Sequence, residues 1–174
     1  MKNIQLLDCT LRDGGYINDW EFGQNTYQSI YQRLVSAGVD IIEIGFIDDR
    51  RPYDINKTIF PDAMSLEKNY GLIRKKAPLT VGMIDYGTCD IAKVQDATNT
   101  WIDGIRVIFK KKYMREAMEY CRKVKSKGYK VFSQLVAISD YEEEDFDEIA
   151  KLINDVKPYA VSMVDTYGLL HPED

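Results

Sequence analysis

Histidine is almost absent from this 174-residue chain; His171 is the only one. Cysteine is scarce too. Cys9, Cys89 and Cys121 are odd in number and far apart, with no CxxC and no Cys/His cluster. That excludes a disulfide scaffold or a zinc-ribbon type of site, and the expectation is reduced thiols in the cytoplasm. A basic excess is also missing. Lys and Arg total 23 against 28 Asp and Glu, for a net charge of −5 and a pI near 5.0. Nucleic-acid surfaces are normally basic, so no nucleic-acid partner is expected. No apolar run approaches the length of a membrane span, and Met1-Lys2-Asn3 leads directly into a short apolar stretch without a leader pattern. No membrane partner is expected. There is no low-complexity segment, no repeat beyond strand–helix alternation, and no GxGxxG after the first strand.

What remains is a chain with 45% hydrophobic residues, enough for one globular domain with its own core. Short apolar runs predict strands at Ile4–Asp8, Asp40–Phe46, Leu79–Ile84, Gly104–Phe109, Lys130–Ile138 and Ala160–Val164. Between them, helical spacing predicts helices at Asn25–Ala37, from Pro61 to about Lys76, near Asp90–Thr98, at Tyr113–Lys127 and at Glu142–Val156. Gly38 and Gly128 stand as stops, and Glu142–Asp145 makes an acidic first turn that suits the helix dipole.

Six strands alternating with five helices point to a parallel sheet covered by helices. An open doubly wound sheet and a (β/α)8 barrel both fit that pattern. The missing GxGxxG weakens the first. Polar residues recur at or near the C-terminal ends of strands: Arg12 and Asp13, Glu43, Asp85 and Asp165. A barrel places its chemistry there. A full barrel takes about 250 residues, so the expected fold is a single-domain, incomplete (β/α)8 TIM barrel lacking strands seven and eight. Its unpaired edge strands would invite pairing with another chain, so a homo-oligomer is expected.

The densest signal is Asp8-Cys9-Thr10-Leu11-Arg12-Asp13-Gly14-Gly15, directly after the first strand. Two glycines predict a sharp turn with room for a ligand. Arg12 offers a fixed cation, and Asp13 offers hard oxygen ligands for a divalent metal. The plainer reading makes Asp13 a turn-bonding aspartate and Arg12 an ion-pair partner of Glu43, a carboxylate in an otherwise apolar strand. Arg106 sits between Ile105 and Val107 in strand four and must face the barrel mouth or a buried partner. Gln134 on strand five is similar. Lys110-Lys111-Lys112 reads as a solvated helix start or as a steering patch for an anion. His171 reads as an exposed loop residue.

This motif resembles that of the DRE-TIM metallolyase superfamily, nearest to its 4-hydroxy-2-oxovalerate aldolase-like and HMG-CoA lyase-like members. The likeness has two further anchors, Ile42-Glu43-Ile44-Gly45-Phe46 and Val164-Asp165-Thr166-Tyr167-Gly168 followed by Pro172. The resemblance implies the N-terminal portion of a metal-dependent carbon–carbon lyase. Its substrate would be a small 2-oxo or 3-hydroxy acid. It implies Asp13 as a ligand to Mn2+ or Mg2+, and Arg12 as the group that stabilises an enolate. Glu43 would support Arg12, Arg106 and Gln134 would contact substrate, and Thr166 would face the pocket. Tyr16 stands where the aldolases carry a histidine base, so it lines the pocket or relays a proton. The family's paired metal histidines form an HxH, which this sequence lacks, so weak activity or none is expected of this chain. The alternatives are a non-catalytic degenerate barrel that binds a small acid or a protein, and a condensing synthase built on the same site.

Overall fold

A computed structural model describes residues 4–71, 73 and 78–171. Its centre is a curled parallel sheet in the order β1-β2-β4-β5-β6-β7. The strands are β1 (Leu7–Asp8), β2 (Ile41–Ile47), β4 (Leu79–Asp85), β5 (Gly104–Lys110), β6 (Lys130–Val136) and β7 (Ala160–Met163), with β3 (Ile59–Phe60) paired only to β2. The helices are α1 (Thr10–Asp13), α2 (Gln24–Ser36), α3 (Ser65–Tyr70), α4 (Met114–Ser126) and α5 (Glu143–Val156). This is the incomplete TIM barrel that the strand–helix alternation predicts.

Two apolar sets of side chains, one per face, produce the curl. Residues of one parity, including Ile42, Ile44, Ile84, Val107 and Leu135, pack outward against Tyr27 and Tyr31 of α2, Met118 and Cys121 of α4, and Ile149 of α5. The stripe Met114, Ala117, Met118 and Cys121 is therefore core, as its spacing predicts. Residues of the other parity form layers on the concave face. Ile41, Val81 and Phe132 make the lower layer. Phe46 and Met83 lie above it with Trp20 and Ile59. Alternation along each strand fixes this arrangement. It also places Glu43, Arg106 and Gln134 between the two apolar layers, and Asp85 and Lys110 at the rim.

The predicted strands shift by a residue or two, apart from the first, which shortens to Leu7–Asp8 with Ile4 and Leu6 exposed. The predicted segment Asp90–Thr98 forms two 3-10 turns, Ile91–Lys93 and Ala97–Asn99, instead of a helix. The helix expected from Pro61 begins at Ser65 and is helical to Tyr70; Arg74–Lys76 at its expected end, and Pro172, lie outside the described residues. The start of α5 carries a capping box between Glu142 and Asp145, whose carboxylate also takes Lys111 Nζ at 2.8 Å. That accounts for the acidic run.

The pairing of β2 with β4 slips between Glu43 and Phe46. Gly45 sits at this irregularity with φ +142°, and a Cβ there would overlap the Thr58 carbonyl oxygen. That close approach lets Thr58 O accept from Phe46 N at 3.0 Å and lets β3 dock on the end of β2. Such bulges bend a strand and re-aim its side chains.

Candidate active site

The first strand does not end in an open glycine bend. Asp8 Oδ1 accepts from Thr10 N at 3.0 Å, and its Oδ2 accepts from Thr10 Oγ1 at 3.0 Å, which starts the helical turn α1. A 3-10 turn over Gly14–Ile17 follows, and Gly14 is helical at φ −60°. Gly15 is needed for space, because a Cβ would overlap the Trp20 ring. The room expected for a ligand is thus filled by an indole. Trp20 holds the left-handed conformation at φ 59°, uncommon for a bulky residue. Its Nε1 donates to Arg12 O at 2.7 Å, while Thr58 Oγ1 donates to Leu11 O at 2.7 Å. The Arg12 carbonyl, which also accepts a backbone N–H at the end of α1, gains a second donor, and the Leu11 carbonyl is capped, so the Arg12 backbone is fixed.

Glu43 is fully buried and holds two arginines. Arg12 Nε donates to its Oε2 at 2.7 Å, and Arg106 Nη1 lies 2.8 Å from its Oε1. The second contact is close but not aligned as a hydrogen bond, and Arg106 Nε has no hydrogen-bond partner. Arg106 Nη2 donates to Gln134 Oε1, and Gln134 Nε2 lies 3.9 Å from Met83 Sδ. Arg12 Nη1 also donates to Asp13 Oδ1 at 2.6 Å. Burial works against the Arg12 charge, yet Glu43 and Asp13 outweigh it and raise its pKa. Arg12 is therefore a permanent cation, and its Nη2 makes no hydrogen bond among the described residues. A guanidinium held this way suits a developing oxyanion, because it needs no reorganisation when charge appears.

Above this layer lies a cleft lined by Tyr16, Trp20, Phe46, Asp48, Arg50 and Asp85, among others. Tyr16 is 65% exposed, with its ring 4.9 Å from Trp20 and 6.2 Å from Phe46. Burial lifts its pKa, and the Arg12 charge only partly offsets this. The phenol lines the cleft and ionises less readily than an ordinary tyrosine. Asp48 is buried and accepts from Arg50 Nε at 2.8 Å and Arg50 Nη2 at 2.6 Å. Burial pushes its pKa up, but the Arg50 fork and backbone N–H prevail and lower it. Asp85 moves the other way: burial raises it, Lys110 and Arg50 oppose, and Asp48 adds to the rise.

Arg12, Asp13, Glu43, Arg106 and Gln134 thus come together in one network, with Tyr16 at its mouth. Arg106 and Gln134 are buried and bonded to each other, with Arg106 beside Glu43. Thr166 does not join them. It is exposed, and its Oγ1 accepts from Ala137 N at 2.8 Å, so it pins the end of β6 to the loop after β7. His171 is exposed. Burial raises the Cys9 thiol, consistent with an inert strand-end residue. Sequence reading missed Trp20, which no local pattern marks, and the Asp48–Arg50 pair, whose position just after β2 was the available signal.

Asp13 is exposed enough, at 59% of its side chain, to meet an ion. Among the described residues, however, no three His, Cys, Asp or Glu side chains gather as a metal cluster. One carboxylate oxygen donor fits a divalent metal, and no complete ligand set is gathered among the described residues. Among the described residues no helix is long and apolar enough to cross a membrane.

A curled parallel sheet with its charged residues gathered at the C-terminal strand ends is an incomplete TIM barrel with its polar cluster at the end where that fold places its chemistry. The chain belongs to the HMGL-like family, which it matches over residues 3–174. It is 26% identical over 176 residues to an oxaloacetate decarboxylase of Mycobacterium tuberculosis, an alignment that covers 97% of this chain and 50% of that protein. Its fold is similar to the HMG-CoA lyase of Bacillus subtilis (TM-score 0.70, 14% identity, 99% of this chain and 61% of the other). It is also similar to an HMG-CoA lyase from Acinetobacter baumannii solved with coenzyme A and 3-methylmalate (TM-score 0.69, 13% identity, 98% and 59%). The chain therefore spans about half to three-fifths of the length of these relatives. Members of the family generally use a divalent metal and act on small-molecule acids.

Proposed function

We propose that this chain carries the enolate-stabilising half of a carbon–carbon lyase site, of the 4-hydroxy-2-oxovalerate aldolase-like kind, for a small 2-oxo or 3-hydroxy acid. The observation that carries this reading is Arg12, fixed by Glu43, Asp13 and Trp20 while one guanidinium nitrogen stays uncommitted. A divalent metal, Mn2+ or Mg2+, would be held in part by Asp13 and would polarise the substrate oxygens when bound. Arg12 binds the carbonyl that becomes the enolate. Glu43, itself beside Arg106, and Asp13 hold that guanidinium in place, and Trp20, Phe46 and Tyr16 exclude water on one side. The oxaloacetate decarboxylase relative supports a 2-oxo acid, because decarboxylation and aldol cleavage both leave an enolate.

The test is pyruvate release from 4-hydroxy-2-oxovalerate or oxaloacetate with Mn2+, followed with a coupled dehydrogenase. Weak turnover that falls about 10²–10³-fold in Arg12→Ala is expected, the size seen when one oxyanion donor is removed. Turnover indifferent to that change defeats the reading. A second reading is a non-catalytic barrel module that binds a small acid. It is favoured by the absence of a metal cluster among the described residues, and saturable pyruvate binding without any turnover would select it. We also infer self-association through the β7 edge, where Val161 and Met163 are exposed. A monomer by light scattering contradicts that.

A further inference from the structure

Among the described residues, Glu43, Asp13 and Asp48 each hold an arginine and Asp85 does not; Phe46, whose ring lies 5.7 Å from Arg12 Cζ, lines the cleft. The oxygens of Glu43 face two arginines, and Asp13 Oδ1 takes Arg12. Asp48 holds Arg50 through three hydrogen bonds, one of them from the backbone N–H. Desolvation raises the pKa of Tyr16 and of Cys9. Asp85 is the exception. It ends β4 with the same parity as Val81 and Met83, so it belongs to the concave face. It lines both the cleft under Arg50 and the adjoining one toward Lys110 and Val136, and Tyr16 and Phe46 are shared by both. Its backbone oxygen accepts from Thr88, but its carboxylate accepts no hydrogen bond among the described residues.

We propose that Asp85 is the proton carrier of this site, doing the work for which Tyr16 is unsuited. The proposal rests on the lyase reading above. In cleavage of a hydroxy acid, the Asp85 carboxylate takes the hydroxyl proton. The oxygen's electron pair forms the new carbonyl, and the carbon–carbon bond breaks. Its electrons become the enolate that faces Arg12. Neutral Asp85 then returns the same proton to the enolate carbon. One hydroxy acid gives one carbonyl product and one oxo acid, with no oxidant or reductant. The charged and titratable groups facing Asp85 are Tyr16 from the turn, Asp48, Arg50 and Arg51 from the loop after β2, and Lys110 from β5. The Asp48 carboxyl is lowered, Arg50 outweighing burial, whereas that of Asp85, at the exposed end of β4, is raised by partial burial. Environments that separate two carboxyls in this way commonly divide their roles in acid–base catalysis.

The return step can be read alone. Pyruvate in D2O with Mg2+ should lose its methyl proton signal by NMR in the presence of the wild-type chain, with a rate that rises with pH through one ionisation. Asp85→Asn should lower that rate by about 10²-fold or more and abolish the pH step, while pyruvate still binds. Asp85→Glu should restore part of the rate. Circular dichroism and urea unfolding verify that both variants fold. If Asp85→Asn exchanges at the wild-type rate, the proton role falls and the lyase reading stands. If the wild-type chain binds pyruvate but never exchanges it, both fall. Carboxyl carbon NMR gives an independent arm: an Asp85 that titrates at or below the ordinary aspartate value also overturns the proposal.

Discussion

Glu43 and Asp48 are both carboxylates paired with arginine, one within β2 and the other just beyond it. The side chain of Glu43 is 0% exposed and those of its partners Arg12 and Arg106 are 13% and 9%. Asp48 is 9% exposed, but its Arg50 is 63% exposed. The floor of the site is therefore a desolvated cluster whose members depend on each other. At the mouth, one partner is already in water. The same chemical pair carries structure in the first place and leaves freedom in the second. Removing one member of a buried pair strands the other charge, whereas exposed pairs contribute little.

The sharpest way to break this comparison is Glu43→Ala. It leaves the buried Arg106 with no carboxylate and Arg12 with only the exposed Asp13, and a loss of about 3–5 kcal/mol is expected from urea unfolding. In a double-mutant cycle, removing Arg106 as well should recover part of that loss. Additive losses would show that the two do not share Glu43. Gly45→Ala attacks the frame that presents Glu43. The added Cβ meets the Thr58 carbonyl in a conformation that suits only glycine. A loss of about 2–3 kcal/mol follows from the strain, and a variant as stable as wild type would refute the close approach. Trp20→Phe keeps the ring and deletes the indole N–H. The Arg12 carbonyl then keeps only its backbone donor, and the lost hydrogen bond costs about 1 kcal/mol. Turnover should fall further than the stability loss explains; equal turnover would show that Arg12 needs no such fixing.

How far the sequence could be read follows the same division. Strand–helix alternation and strand-end polarity are local patterns, so the barrel and the meeting of Arg12, Asp13 and Glu43 at one end of it were legible. A buried Glu in an apolar strand demands a partner, and Arg106, in a second apolar strand, is one of the two that it finds. Tertiary choices were not legible. The glycine pair reads as a flexible bend, but Gly15 exists to admit the Trp20 ring, which arrives from five residues away. Thr166 looks like a pocket residue by position, yet its hydroxyl spans to Ala137 on the neighbouring strand's end. Nothing in the spacing of Asp48 and Arg50 says that they bond to each other and not to a ligand.

The mouth gives the smallest effect and the most informative sign. The Asp48 pKa is lowered on folding, because Arg50 outweighs burial. A depressed carboxylate adds stability above its unfolded value near 3.9 and loses it as pH falls through the folded value. Asp48→Asn should therefore cost about 1 kcal/mol or less at pH 7, since Arg50 is well solvated. That difference should shrink as the pH is lowered past 4. Asp85 carries the opposite sign, for its pKa is raised. Its contribution is fullest at low pH and is lost as pH rises through its folded value. Asp85→Asn should thus unfold at slightly higher urea than wild type at pH 7, with the gain vanishing in acid. Urea titrations of both variants at several pH values check the pair of signs. Two carboxylates facing one cleft but responding alike to pH would erase the distinction between a residue held for structure and one left free to exchange a proton.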